Sequence, residues 1–244
     1  MFQLMVVRHA ETQFNKDGIL QGQLDEPLNE TGRKQAEALA QSIAKEQFTH
    51  IFSSDLKRAK DTCQIALTRN VLQQDGNLKP SIMLDPMLRE RSYGCMEGRL
   101  RYEFIDAAQQ AGIESNMFTP AEAESYIALQ KRAEDFFINL CKMMQTVVHG
   151  TGSNFPYGIN VLVVTHGAFL RSFYKMLKEK FACVFYNDIG VRMSNAGRTT
   201  FEICFPPNKS SETLQSLTNG QDETWLKHVN VNCTDFDIPI SRSR

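Results

Sequence analysis

The apolar residues of this chain form short runs separated by amphipathic segments. Residues 2–7, FQLMVV, are an apolar, β-favouring run that stops at a polar cluster, as a buried strand of a parallel sheet does. The strongest strand signal is GINVLVVTHG at 158–167. In all, the pattern predicts six strands, at 2–7, 50–54, about 81–84, 158–167, 199–205 and 225–232.

Helical periodicity falls between these runs. In ETGRKQAEALAQSIAKEQ, alanine, leucine and isoleucine recur at helical spacing, with Asn29 or Thr31 as the expected cap. A second helix is expected from Asp55 to about Arg69, with Ser54 as its N-cap. The strongest helix signal is GAFLRSFYKMLKE, directly after the strand at 158–167.

A longer helical region is expected from about 99 to 149, broken near 119–120. The polar segment PPNKSSETLQSLTNGQDE is interpreted as a surface loop. Strands that alternate with helices predict an α/β fold of three layers, with a mainly parallel central sheet and helices on both faces. We expect a single domain over residues 1–244, with a helical subregion at about 99–149.

Composition excludes several classes of protein. The 27 Lys and Arg residues nearly balance the 28 Asp and Glu residues, which argues against binding to nucleic acid or a membrane surface through bulk charge. No apolar run approaches the roughly 18 residues that span a bilayer, and no signal peptide is recognised. The six cysteines are scattered singly, which favours a reducing compartment. We therefore expect a cytoplasmic protein, with the nucleus or mitochondrion as alternatives.

Two histidines follow strand runs in similar contexts, LMVVRHAE and VLVVTHGA. The carboxyl ends of parallel strands lie at one edge of a sheet, where ligands bind. If the two strands are neighbours, His9 and His166 face each other across that edge. Two other readings are a pair of satisfied or surface histidines and a metal site, but no HxxxH or HxxE spacing accompanies them. No metal and no cofactor are expected.

Arginines near these strand ends indicate an anionic ligand. Arg8 precedes His9, and Arg58 lies in SSDLKRAKDT, close to the start of the second helix. Backbone donors at that helix start favour a phosphate. Taken alone, Arg58 is as easily a solvated surface residue. Together with the histidines, the two arginines predict a cationic pocket in a nearly neutral protein.

Four ordered blocks, RHAETQFN, SSDLKRAKDT, LRERSYG and THGA, resemble the histidine phosphatase superfamily, whose signature is a strand-end RHG. This resemblance implies a phosphoglycerate mutase-like fold. LQGQLDEPLNETG and VLVVTHGAFLRS are most similar to its fructose-2,6-bisphosphatase-type branch, and QGQ at 21–23 replaces the TGW-type loop of the mutases. Three positions depart from the family: Ala10 replaces the glycine of RHG, PAEAES at 120–125 replaces PGGE, and Arg99 replaces a lysine.

The resemblance implies a role for each site residue. His9 is expected to be the nucleophile that forms a phosphohistidine, oriented by a hydrogen bond to a backbone carbonyl. Glu90 is the candidate acid, with a salt bridge to Arg89 or Arg91 as its structural alternative. The other expected phosphate ligands are Arg8, Arg58, His166 and the neutral donor Asn15. Contacts to the rest of the substrate are expected from Gly22, Tyr93 and Arg99, with packing as an equal alternative for Tyr93.

The implied function is hydrolysis of fructose 2,6-bisphosphate to fructose 6-phosphate without a cofactor, which lowers glycolytic flux. One alternative is a broader phosphatase that acts on 2,3-bisphosphoglycerate or other phosphorylated metabolites, small molecules in either case. Another is a catalytically weak binding protein that keeps the fold.

Overall fold

The computed structural model describes residues 1–70, 80–150, 158–185, 193–205 and 228–238. Its strands are β1 (Phe2–Arg8), β2 (His50–Ser53), β3 (Ile82–Leu84), β4 (Asn160–Thr165), β5 (Arg198–Cys204) and β6 (Asn230–Ile238). Its α-helices are α1 (Gln13–Asp17), α2 (Glu30–Ser42), α3 (Lys57–Ala66), α4 (Arg101–Gln110), α5 (Tyr126–Gly150) and α6 (Gly167–Phe181). Short 3₁₀ turns occupy Pro86–Leu88 and Gly94–Met96.

The six strands form one mixed sheet in the order β3-β2-β4-β1-β5-β6. Strands β3, β2, β4 and β1 run parallel, whereas β5 is antiparallel to β1 and β6 is antiparallel to β5. The expected mainly parallel sheet is therefore confirmed, with an antiparallel pair at one side. The register of β1 against β4 pairs Val6 with Val163 and Arg8 with Thr165.

Alternate residues of the central strands pack into two separate cores, as the period of a strand requires. Phe2, Leu4 and Val6 of β1 contact the cluster that contains α5 and α6. Met5 and Val7 contact the cluster that contains α2 and α3. The predicted three-layer arrangement, with helices on both faces, is confirmed. That all 244 residues belong to one domain stays a prediction.

The helix caps show one correct and one wrong expectation. Asn29 caps α2, and its side chain accepts a hydrogen bond from the backbone N–H of Gly32 at 2.7 Å. Ser54 does not cap α3, because the N-cap position is Leu56, and the Ser54 hydroxyl accepts from Leu56 N at 3.3 Å in the turn before the helix. The helix begins at Lys57, whose N–H donates to Asp25 Oδ1 at 2.6 Å. The Asp25 carboxylate thus accepts from one of the backbone N–H groups at the helix start that the sequence predicted to bind phosphate.

The predicted closing strands are partly displaced. β5 lies where expected, but β6 begins at Asn230 rather than 225, and residues 225–227 lie outside the described residues, as does the polar segment at 206–223. All six cysteines are described, and each carries a free thiol. Among the described residues, the helices are all too short or too polar to cross a membrane. Cytoplasmic location stays a prediction.

Candidate active site

His9 and His166 come together at the carboxyl edge of the sheet because β1 and β4 are parallel neighbours in register. The backbone N–H of His9 bonds to Thr165 O at 2.8 Å, directly before His166. The centroids of the two imidazole rings lie 5.1 Å apart, and both residues are almost fully buried. The expected juxtaposition of the two strand-end histidines is confirmed.

A backbone carbonyl fixes the His9 ring. Nδ1 of His9 lies 2.7 Å from Ala10 O, and since a carbonyl only accepts, the Nδ1 atom carries the proton. Nε2 therefore has the free lone pair that a nucleophile needs. The Ala10 peptide is itself held, because its N–H donates to Thr62 Oγ1 at 3.0 Å. The expected orienting bond is present, and it comes from the next residue in the chain.

The other imidazole has the opposite tautomer. The Nε–H of Arg58 donates to Nδ1 of His166 at 3.2 Å. Because a guanidinium only donates, His166 in its neutral form carries its proton on Nε2. That atom is buried and has no hydrogen-bond partner among the described residues. His166 thus offers a donor for an incoming anion, whereas His9 offers a lone pair.

Electrostatics keeps both rings neutral. Burial lowers the pKa of His9 well below its ordinary value, and the charges of Arg58 and Arg8 lower it further. The pKa of His166 is lowered in the same way, by burial first and then by Arg58. Burial also lowers the pKa of Arg58 to about 10, so this guanidinium stays cationic at neutral pH. The pair is a poised nucleophile and donor beside a permanent positive charge.

Arg8 and Asn15 line the same narrow cavity as His9. An Nη1 hydrogen of Arg8 donates to Met193 O. The amide oxygen of Asn15 accepts from Thr12 N and from Asn195 Nδ2, each at 3.2 Å. With its oxygen engaged, the Asn15 NH₂ group is left as a neutral donor. Asn195 Nδ2 also donates to the backbone carbonyl of His9 at 3.0 Å, so Asn195 contacts both Asn15 and His9.

The side chain of Glu90 lies against the N-terminus of α6, close to the histidines. Its carboxylate accepts backbone hydrogens from Arg91 at 2.9 Å, Ala168 at 3.0 Å and Phe169 at 3.2 Å. The expected alternative, a salt bridge to Arg89 or Arg91, is absent among the described contacts. Arg89 pairs with Asp55 at 2.6 Å instead. Glu90 is held by backbone donors and lines the cavity that contains His9.

Arg132 supports the segment that carries Glu90. Its Nη1 donates to Met87 O and Arg89 O, both at 2.7 Å, and its Nη2 approaches Glu90 O at 3.4 Å. Both oxygens of Glu124 accept from Arg132, at 2.8 and 2.7 Å. This bidentate ion pair is largely shielded from solvent and holds the Arg132 guanidinium in place. The guanidinium in turn fixes the loop through its hydrogen bonds to the loop carbonyls.

Two adjoining cavities open at this edge. The narrow one holds about 40 Å³ and includes Gly22, while its neighbour holds about 680 Å³. Tyr93 lines both; its ring also packs edge-on against Phe104 at 5.3 Å. Burial and the charge of Glu90 raise the pKa of Tyr93 to about 12, which keeps its hydroxyl protonated. Tyr93 therefore both packs against Phe104 and forms part of the cavity wall, so the two expected roles do not exclude each other.

Arg99 is not brought into the site. Its guanidinium is mostly exposed, lies 3.7 Å from Glu103 in the next turn and lines neither cavity, although its carbonyl accepts from Leu20 N at 2.8 Å. Among the described residues, there is no cluster of three or more His, Cys, Asp or Glu side chains suited to a metal ion.

Comparison with known proteins agrees with this geometry. Residues 4–204 match the model of the histidine phosphatase superfamily, branch 1. This chain belongs to the histidine phosphatase superfamily. It is 34% identical to the fructose-2,6-bisphosphatase TIGAR of Xenopus tropicalis, over 99% of this chain and 98% of that protein. It is also 34% identical to a metal-independent phosphoserine phosphatase of Arabidopsis thaliana, over 72% and 69% of the two chains. A solved structure of mycobacterial hydrolase 2 superposes with a TM-score of 0.72 at 23% identity, covering 99% of this chain and 92% of that one.

The structure shows how two positions that depart from the histidine phosphatase pattern, Ala10 and the turn at 120–125, are packed. The methyl group of Ala10 is buried in a small apolar cluster with Leu28, Ala36 and Ala196. Glu122, in the segment 120–125, adopts a left-handed backbone with a φ of 62°. Gly94 packs beneath that turn, and a Cβ there would meet Ala121 O at 2.1 Å.

Sequence reasoning missed several residues of this histidine phosphatase site. Arg101 and Arg171 line both cavities, and Lys175 lines the larger one. Arg171 follows His166 by five residues on the same predicted helix. It could therefore have been found from sequence by looking for cationic residues in the first turns of that helix. Arg101 and Arg132 come from distant helices, and only the packing of α4 and α5 places them there.

Proposed function

We propose that this chain is a phosphatase that hydrolyses fructose 2,6-bisphosphate to fructose 6-phosphate and inorganic phosphate through a phosphohistidine on His9. The observation that carries the proposal is the opposite tautomers of the two neighbouring imidazoles. A lone pair on His9 Nε2 and a hydrogen on His166 Nε2, next to Arg58, suit an attack on a phosphorus atom whose oxygens need donors. The similarity to TIGAR proteins over nearly the whole chain supports the choice of substrate.

In the first step, the lone pair of His9 Nε2 forms a bond to the phosphorus of the 2-phosphate. The bond from phosphorus to the bridging sugar oxygen breaks, and that oxygen takes a proton from Glu90. Arg8, Arg58 and His166 supply donors to the three outer oxygens as charge spreads over them. The products of this step are fructose 6-phosphate and the phosphohistidine.

In the second step, water attacks the phosphorus, and the Glu90 carboxylate takes up its proton. The bond between phosphorus and His9 Nε2 breaks, which restores the neutral imidazole and releases phosphate. The low pKa of His9 matters here, because an imidazole that protonated easily would lose the lone pair needed for the next cycle.

A second candidate is a phosphatase of broader specificity. The similarity to a metal-independent phosphoserine phosphatase supports it, as does the adjoining cavity of about 680 Å³, which is large for one small substrate. In both cases the ligands are small phosphorylated metabolites rather than nucleic acid or membrane.

The test is release of phosphate from a panel that contains fructose 2,6-bisphosphate, 2,3-bisphosphoglycerate, phosphoserine and p-nitrophenyl phosphate. Acid-labile radioactive phosphoenzyme is measured in parallel with labelled substrate. We expect the highest kcat/KM for fructose 2,6-bisphosphate, a phosphoenzyme in the parent, and neither turnover nor phosphoenzyme in His9→Ala. The exposed histidine variant His228→Ala serves as the matched control and keeps both.

Each contrary result has a distinct meaning. A higher kcat/KM for another member of the panel overturns the substrate and favours the broader phosphatase. An active His9→Ala overturns the nucleophile. Binding without turnover or phosphoenzyme in the parent identifies a catalytically weak binding protein.

A further inference from the structure

Glu97 lies beside the narrow catalytic cavity without lining it. One oxygen of its carboxylate, Oε1, accepts hydrogen bonds from the backbone N–H groups of Tyr93 at 2.9 Å and Gln23 at 3.0 Å. The Ser92 hydroxyl donates to the same oxygen at 3.2 Å. This carboxylate therefore joins the segment that contains Gly22 to the segment that contains Tyr93, and both segments line the cavity.

Backbone pairing brings Glu97 to this position. Leu20 O accepts from Gly98 N at 2.9 Å, and Leu20 N donates to Arg99 O at 2.8 Å. Gly22 follows two residues later and has a left-handed backbone, with a φ of 51°. A Cβ on Gly22 would overlap the Glu97 carboxylate. Both the backbone conformation and the close approach of the carboxylate therefore favour glycine at position 22.

The loop at 22–24 anchors Arg58. The two Nη groups of Arg58 donate to Leu24 O and Gly22 O, each at 2.7 Å. Glu97 holds the residue between these two carbonyls, because it accepts from Gln23 N. Release of Gln23 N would therefore free both of the acceptors that fix the Arg58 guanidinium.

The same loop contacts the backbone of Glu90. Gln23 Nε2 donates to Glu90 O at 3.2 Å, and Gln23 Oε1 accepts from Arg89 Nη1 at 3.3 Å. Arg89 is fixed in turn by two hydrogen bonds to the Asp55 carboxylate, at 2.8 and 2.6 Å. The loop at 22–24 thus lies between Arg58 and the segment that carries Glu90.

We propose that Glu97 is a positioning residue that holds the loop at 22–24 as a fixed spacer between Arg58 and Glu90. This inference rests on the proposed function, in which Arg58 binds the phosphate that is transferred and Glu90 moves the proton. Glu97 acts through the loop and contacts neither the substrate nor the reacting atoms. Its loss should therefore affect all substrates alike, because the transferred phosphate is common to them.

The experiment compares Glu97→Ala and Glu97→Gln with the parent. Glu37→Ala, at an exposed carboxylate of α2, is the matched control. Kinetics are measured with fructose 2,6-bisphosphate and p-nitrophenyl phosphate, and binding of orthovanadate, which imitates five-coordinate phosphorus, is measured by calorimetry. We expect Glu97→Ala to lower kcat/KM about tenfold or more, by a similar factor for both substrates, and to weaken orthovanadate binding comparably. Glu97→Gln keeps an oxygen acceptor and should recover most of the loss.

A double-mutant cycle tests the contact between Glu97 and Gly22. In the parent, Gly22→Ala displaces the carboxylate and strains the backbone. In Glu97→Ala no carboxylate remains to be displaced, so the loss of kcat/KM caused by Gly22→Ala should be at least about threefold smaller there. The backbone strain is present in both backgrounds and cancels. Glu97→Asp, whose shorter side chain draws back from Gly22, takes the place of Glu97→Ala if the alanine variant does not fold.

Failure of this inference is distinguishable from failure of the proposed function. Orthovanadate binding and hydrogen exchange of the peptide 20–25 require no turnover. Faster exchange and weaker orthovanadate binding in Glu97→Ala support the positioning role even if the parent does not hydrolyse fructose 2,6-bisphosphate. A folded Glu97→Ala that matches Glu37→Ala in kcat/KM and orthovanadate binding overturns it, even if its free energy of unfolding is lower. Strictly additive losses in the cycle also overturn it.

Discussion

Arg58 and His166 are joined by a hydrogen bond from the guanidinium Nε to the imidazole Nδ1, 3.2 Å long and fully buried. The other two nitrogens of Arg58 donate to Leu24 O and Gly22 O, each at 2.7 Å. One side chain thus sets the tautomer of His166 and fixes the loop at the mouth of the catalytic cavity. Arg58 therefore holds His166 and the loop in place by hydrogen bonds, in addition to supplying a positive charge.

Arg58→Lys should be far from conservative. A lysine keeps the charge but cannot reach the imidazole and two carbonyls with one planar fork. We expect kcat/KM to fall by about 100-fold or more, since charged hydrogen bonds contribute roughly 1.5–3 kcal/mol each. Steady-state kinetics and phosphoenzyme yield measure the effect. The exposed Arg33→Lys is the control, and a loss of less than threefold in Arg58→Lys would contradict this role.

The sequence carries the information that brings the two histidines together. Equivalent buried strand runs end at His9 and His166, and the structure pairs β1 with β4 as parallel neighbours in register. The carboxyl-edge rule then places both imidazoles at one site. This inference needed no knowledge of how the helices pack.

Replacement of Glu90 should separate proton transfer from phosphate binding. Glu90→Gln preserves the shape and an acceptor for Ala168 N but cannot exchange a proton. We expect kcat for a sugar phosphate to fall by about 10²- to 10⁴-fold, and kcat for p-nitrophenyl phosphate to fall much less, because that leaving group hardly needs a proton. Equal slowing of both substrates excludes Glu90 as the acid.

Arg132 should act on catalysis through Glu90 without touching substrate. Arg132→Met removes the donors to Met87 O and Arg89 O, and it also leaves Glu124 without its partner. We expect kcat for sugar phosphate to fall about tenfold with KM nearly unchanged, together with a loss of about 1–3 kcal/mol in the free energy of unfolding.

Glu124→Gln is the matched variant for this test. It retains an amide oxygen that accepts from Arg132, so the loop stays anchored and the loss of kcat should be smaller than in Arg132→Met. Kinetics of both variants, with chemical denaturation in parallel, decide the matter. A destabilised Arg132→Met with unaltered kcat would show that the residue only supports the fold.

Residues such as Arg132, Arg101 and Lys175 mark where sequence reasoning stops. Each lies in a helical pattern that is typical of a solvent-facing cation, and the local sequence contains no feature that distinguishes it. Their positions depend on how α4, α5 and α6 pack against the sheet edge. The prediction of Ser54 as a cap was wrong for a local reason, because Asp55 and Leu56 still precede the first helical residue, Lys57.

The buried histidines should make the protein sensitive to acid. In the unfolded chain, His9 and His166 have ordinary pKa values near 6.5, while in the folded protein burial and the arginines hold both pKa values well below that. Below pH 6.5 the unfolded state therefore binds more protons, so the free energy of unfolding falls as the pH falls. Above pH 6.5 both states are neutral at these rings and the effect disappears.

The expected slope is up to about 1.4 kcal/mol per pH unit for each histidine, or about 2.8 kcal/mol per pH unit for the pair. Denaturant unfolding at pH 7.5, 6.5 and 5.5 measures it in the parent and in the double variant His9→Gln/His166→Gln. Contributions from carboxylates are common to both proteins and cancel in the comparison. The double variant should lose less free energy of unfolding between pH 6.5 and 5.5 than the parent. An identical pH dependence would show that the two imidazoles are not held neutral in the folded protein.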